Sequence, residues 1–135
     1  MPRVLVIDDD EVFVKLMVLA LKQRGHEVEY ALDGEAGYRA FKASDFDAVI
    51  CDIVMPEREG IETIQQMRND RPSLGIVAIS GGLRLSDRES IDVLQVVEKL
   101  GADISIKKPF QMSALYQAVD DAIAIHNALP ATARR

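Results

Sequence analysis

Four acids stand directly after an apolar run near the start of the chain: RVLVI (3–7) leads into Asp8, Asp9, Asp10 and Glu11. Like charges gathered at the end of a buried segment repel one another. Two of them ~4 Å apart cost about 4 kcal/mol at an effective dielectric near 20. Protonating one acid relieves this, and so does placing a hard cation between them. A further acid, Asp52, closes the apolar run DAVICD. Its carboxylate is a natural nucleophile, because aspartate can form an acyl phosphate. Ser80 ends GIVAIS and offers a hydroxyl donor; Lys107 and Lys108 end ADISIKK and offer positive charge. No His or Cys accompanies the acids, so an all-oxygen site selects Mg²⁺, with Mn²⁺ as a substitute. A cation, a lysine and a hydroxyl around one carboxylate make up a phosphoryl-transfer site, which works by positioning and charge stabilisation.

The elements that must bring these residues together are legible from periodicity. RVLVI has no alternation and suits a strand buried on both faces. In EVFVKLMVLALKQRG, residues Phe13, Leu16, Met17, Ala20 and Leu21 recur at helical spacing, with Gly25 as the stop. HEVEYAL alternates and reads as a strand. DGEAGYRAFKAS reads as a short helix capped by Asp33. FDAVICD is a third strand, and MPEREG is a turn punctuated by Pro56 and Gly60. Ile61, Ile64 and Met67 line a helix that must end before Pro72. GIVAIS is a fourth strand, GGLRLSD a loop, and a helix is expected from about Arg88 to Leu100. ADISIK is a fifth strand, and the last helix turns Leu115, Ala118, Val119, Ala122 and Ile123 inward. Five alternations of strand and helix imply an α/β fold with a doubly wound parallel sheet. In the flavodoxin-like strand order 2-1-3-4-5 the ligand site lies between the first and third strands, at their carboxyl ends. Asp8, Asp9 and Asp52 then meet at one spot.

Composition narrows the setting. The chain has 135 residues, 48% of them hydrophobic, which suits one domain with a packed core. Sixteen Lys+Arg against 22 Asp+Glu give a net charge of −6, poorly suited to nucleic acid, whose phosphates attract basic patches. Cys51 is the one cysteine, so neither an internal disulfide nor a thiolate metal cage can form. Neither a signal-peptide pattern nor a membrane-spanning apolar run is visible, and a cytoplasmic location is expected. Cys51 reads as a core thiol facing away from Asp52. His26 and His126, with no acid at relay spacing, read as surface residues.

Four stretches, VLVIDDDE, DAVICDIVMPEREG, VAISGG and GADISIKKPF, occur in order over residues 3 to about 125. In these the chain resembles the receiver domain of the two-component response-regulator family, with its chemotaxis-regulator-like fold of five strands and five helices. The resemblance implies a phosphorelay switch rather than an enzyme with a diffusible substrate. Asp52 would accept a phosphoryl group from a histidine kinase or histidine phosphotransfer protein. Asp9, Asp52 and the carbonyl of Val54 would bind Mg²⁺ directly, and Asp8 chiefly through water. Ser80 would hydrogen-bond the phosphoryl group, and Lys108 would pair with it, with Lys108–Pro109 often cis in the family. A downstream protein would bind through the fourth expected helix, the fifth strand and the last helix, where a second copy of the chain is also a candidate. The domain would span 1–126, with 127–135 as a tail or linker.

The chain departs from the family pattern in three places. Ser105 stands where the family usually has an aromatic three residues before the lysine. The stretch from Ser80 to Lys108 is longer than usual, with the excess in Gly81–Ser90, which is expected to replace the aromatic as the moving part. Val54 is apolar where water would approach the phosphate. Two other readings stand beside the switch. Asp8 and Asp10 have the spacing of a Mg-dependent phosphatase working through an aspartyl phosphate, but that leaves the later motifs unexplained. A degenerate receiver would act only as a docking module. Asp10 and Glu11 serve well enough as helix-capping acids.

Overall fold

The computed structural model describes residues 2–53, 59–80 and 101–128. Among the described residues nine elements follow one another: β1 (Arg3–Ile7), α1 (Glu11–Gln23), β2 (Glu27–Ala31), α2 (Gly34–Ala43), β3 (Ala48–Asp52), α3 (Glu59–Asp70), β4 (Gly75–Ser80), β5 (Ile104–Lys107) and α4 (Met112–Ala128). The five strands form one sheet in the order β2-β1-β3-β4-β5, and every neighbouring pair is parallel. This is the flavodoxin-like arrangement expected from the sequence. The helix expected at about 88–100, the 81–90 loop, the turn around Pro56 with Val54, and the last seven residues lie outside the described residues.

Alternation along each strand divides the core in two. Val4 and Val6 of β1, Ala48 and Ile50 of β3, and Val77 and Ile79 of β4 face one side, where α1 and α4 cover them with Met17, Leu21, Leu115 and Val119. Leu5, Ile7, Val49, Cys51, Ile76 and Ala78 face the other side, against Phe41 of α2 and Ile64 and Met67 of α3. Cys51 is therefore a core thiol on the face opposite Asp52, as expected. Burial, then the carboxylates of Asp52 and Asp8, push its thiol far above the usual range, so it stays protonated.

Local signals set the helix ends. Asp10 caps α1 by accepting from the Phe13 N–H at 3.1 Å, and Asp33 caps α2 by accepting from the Ala36 N–H at 2.7 Å. Gly25, at φ +92°, lets the chain leave α1 in the left-handed region. α3 ends at Asp70, two residues before Pro72.

Two expectations need correcting. On α1 the buried positions are Val14, Met17 and Leu21, with Phe13 and Val18 partly covered, whereas Leu16 is 53% exposed. Two adjacent apolar stripes fit the same helical period, and docking on the sheet selected the one containing Val14. His126 is not a free surface residue: its ring Nδ1 lies 3.1 Å from the Ser73 carbonyl, and Nε2 lies 3.5 Å from Asp47. That partner is distant in sequence and becomes near only because α4 packs back across β3. Among the described residues no helix is long and apolar enough to cross a membrane.

At the sheet end away from the acids, Arg68 of α3 ties three elements together. Its guanidinium donates to the carbonyls of Gly101 (2.8 Å), Pro72 and Leu74 (both 2.7 Å) and to Asp103 (2.6 Å). Asp103 also accepts from the Ile76 N–H at 2.8 Å. A lysine carries a single ammonium and cannot serve these spread acceptors. Arg68→Lys is expected to lower unfolding stability by about 1.5–3 kcal/mol, the range for hydrogen bonds to charged groups; an unchanged urea midpoint would show that this network contributes nothing.

Candidate functional site

The same alternation that divides the core decides which side chains meet at the carboxyl ends of the strands. Asp8 continues the series Val4, Val6; Asp52 continues Ala48, Ile50; Lys108 continues Ile104, Ile106. All three emerge on the side covered by α1 and α4. Asp8 and Asp52 are only 1% and 3% exposed, whereas Asp9 is open to solvent. Oxygen atoms of Asp8, Asp9 and Asp52 all lie within 4.8 Å of one another. β1 and β3, adjacent in the sheet, bring these acids together across 43 or more positions of sequence.

Among the described residues, a cation reaches two of them. The Lys108 ammonium lies 3.1 Å from Asp8 Oδ2 and 3.5 Å from Asp52 Oδ2. Burial opposes its charge, but the Asp52 and Asp8 carboxylates outweigh burial, and the net effect raises its pKa. The other oxygen of Asp8 accepts from the Asp10 N–H at 2.9 Å, and the Asp8 N–H donates to the Ala31 carbonyl. Asp8 is thus held from three directions. The Lys108–Pro109 bond is cis, as the sequence led us to expect.

The remaining candidates are placed as follows. Ser80 ends β4, one residue beyond Ile79, the register partner of Asp52, and its carbonyl accepts from the Lys108 N–H at 2.6 Å. Lys107 is its register partner on β5. Val54, the expected carbonyl ligand, lies outside the described residues. Asp10 is engaged as the α1 cap. Ser105 pairs with Ala78 across β4 and β5, and its hydroxyl is buried with no hydrogen-bond partner among the described residues.

Two contributors were not identified as site residues from sequence. Gly60, read only as turn punctuation, runs against the Asp52 backbone: a Cβ there would sit 2.2 Å from the Asp52 carbonyl oxygen and 2.6 Å from Ile53 Cα. Phe13, read only as part of an apolar stripe, places its ring under Lys108, with Nζ 4.2 Å from the centroid. Nothing in the pattern of one sequence separates such roles from ordinary turn and core positions.

Two outcomes follow from this geometry. Gly60→Ala must displace backbone rather than a flexible side chain, so it should cost about 1–3 kcal/mol of unfolding stability, the usual range for overpacking, as read from urea denaturation. Because the folded-state pKa of Lys108 is raised, its contribution is complete below the ordinary lysine value of about 10.4 and is lost as pH rises through the higher folded value. In metal-free buffer the stability gap between wild type and Lys108→Met should hold from neutral pH to about pH 9 and close at more alkaline pH. A gap that closes between pH 7 and 9 would contradict the raised value.

Comparison with known proteins agrees with the geometry. Residues 4–120 match the family described as response regulator receiver domain. The transcriptional regulatory protein RprY of Bacteroides fragilis is 32% identical over 113 residues, covering 84% of this chain and 45% of RprY. GlrR of Escherichia coli, also a transcriptional regulatory protein, is 30% identical over 133 residues, covering 98% of this chain and 28% of GlrR. The chain therefore spans about a quarter to a half of the length of these curated relatives. Among solved structures, a CheY-like receiver domain protein from Methanospirillum hungatei superposes with a TM-score of 0.81 at 25% identity, covering 95% of this chain and 98% of that one. A receiver domain protein from Clostridium thermocellum gives 0.85 at 25% identity, covering 96% and 100%. The acids at the ends of β1 and β3, the lysine after β5 and the strand order thus have a common explanation: this chain belongs to the response regulator receiver domain family.

Proposed function

We propose that the chain is a phosphoacceptor switch: Asp52 takes a phosphoryl group from a phosphohistidine on a sensor kinase or phosphotransfer protein, and the change alters affinity for a downstream protein. The observation that carries this reading is the cluster of Asp8, Asp9 and Asp52 oxygens within 4.8 Å, with the Lys108 ammonium on two of the three acids.

An Asp52 oxygen attacks phosphorus, the bond from phosphorus to the donor imidazole breaks, and its electron pair leaves with the imidazole. The buried position of Asp52 keeps that carboxylate from wide hydration, and β3 holds it at a fixed angle. Lys108, already within 3.5 Å, supplies positive charge where the phosphoryl oxygens would come to rest. Ser80 is the proposed hydroxyl donor from the neighbouring strand end. The donor set is three carboxylates without imidazole or thiolate, which fits a hard divalent cation such as Mg²⁺, with Mn²⁺ as a substitute. Asp8, Asp9 and Asp52, with the carbonyl of Val54, are the proposed ligands. Such an ion, when bound, offsets the mutual repulsion of the acids and the charge of the incoming group.

The phosphatase reading needs Asp10 as a second working acid. Asp10 instead caps α1 through Phe13 and donates its own N–H to Asp8, which argues against that use. The relatives named above are transcriptional regulators, so a role in controlling transcription through a partner is the proposed setting. The receiver unit is proposed to span 1–126, with 127–135 as tail or linker.

Incubation with acetyl phosphate and Mg²⁺ should add one phosphoryl group to the intact chain by mass spectrometry. Asp52→Asn should abolish the gain, and chelating the metal should suppress it. Uptake that persists in Asp52→Asn, or sustained turnover of a phosphate ester, would overturn the reading.

A further inference from the structure

Lys108 has a third neighbour besides its two acids. The ring of Phe13 lies under the ammonium, with Nζ 4.2 Å from its centroid. Phe110 meets that ring edge-on, at 5.7 Å between centroids and 73° between planes. The edge-to-face arrangement sets the positive rim of one ring against the negative face of the other. Phe13 stands on the first turn of α1, where its N–H is bonded to the Asp10 cap at 3.1 Å. Phe110 follows Lys108 by two residues. The ring is therefore fixed by the helix cap on one side and by the lysine's own turn on the other.

A lysine has a flexible four-carbon stem and a point charge, so its position depends on what attracts the ammonium. Here the attraction comes mainly from Asp8 and Asp52. A divalent cation on those carboxylates would draw on the same oxygens and repel the ammonium. An aromatic face attracts a cation through its quadrupole and presents no oxygen for a metal to claim. The contact with Phe13 would therefore remain available when a cation weakens the other two.

We propose that Phe13 is a positioning residue for Lys108, its ring keeping the ammonium at the pocket when a divalent cation claims Asp8 and Asp52, so that Lys108 meets the incoming phosphoryl group. The inference rests on the reading of Asp52 as phosphoacceptor.

The test compares wild type, Phe13→Leu, Phe13→Tyr and chains carrying progressively fluorinated phenylalanine at position 13. Fluorination weakens the ring's attraction for cations while nearly preserving its size. Two readouts are taken in Mg²⁺: the phosphorylation rate with acetyl phosphate, and the affinity for beryllofluoride. Phe13→Leu is expected to lower both roughly 3- to 10-fold, in line with a partly desolvated cation–π contact. Phe13→Tyr should stay close to wild type, and both quantities should fall stepwise with fluorination. A purely structural role would leave the fluorinated series flat. If Phe13→Leu does not fold, as judged by thermal unfolding, the fluorinated series decides alone. A phosphorylated wild type with a flat series overturns the role of Phe13 and leaves Asp52 standing. A wild type that takes up no phosphoryl group overturns both.

Discussion

Everything at the site depends on one electrostatic constraint: two nearly buried carboxylates and one open one share a space a few ångströms across. Repulsion of about 4 kcal/mol for a pair ~4 Å apart would be a large fraction of a domain's stability of about 5–15 kcal/mol. The molecule meets it with a lysine just beyond β5, two places from β3 and three from β1 in the sheet, reaching between Asp8 and Asp52. The compensation is movable. An ammonium on a flexible stem can give way to a metal ion or turn to a phosphoryl group, whereas a hydrophobic or covalent solution could not.

The parallel sheet makes this crowding possible. Every strand runs the same way, so every carboxyl end opens at one edge, and residues far apart in sequence arrive together. Alternation then selects among them. The positions that continue the α1–α4 side of the core are Asp8, Asp52 and Lys108; Cys51, one residue earlier, is sent to the opposite face and stays a neutral core thiol. A slip of one residue in β3 would exchange Cys51 and Asp52 and dismantle the site. The core packing is therefore what aims the chemistry. The other end of the sheet has its own brace in Arg68, whose fan of hydrogen bonds joins α3 to the starts of β4 and β5. Its separation from the acids leaves the reactive edge free of that structural demand.

The sequence by itself determined the order and type of the nine described elements, because apolar runs, helical stripes, capping acids and breakers are local signals. It also determined the acids, serine and lysine at the strand ends, since each closes an apolar run. It could not decide which of two adjacent stripes on α1 would turn inward, because both satisfy the same period; docking against the sheet chose Val14 over Leu16. Nor could it show that His126 would come to lie against Asp47, that Gly60 would press on the Asp52 carbonyl, or that Phe13 would lie beneath Lys108. These are contacts between residues 8 to 95 positions apart, created when helices pack across a sheet. A linear pattern specifies how each residue relates to its near neighbours along the chain. Which distant group it touches is settled only by the packing that closes the core.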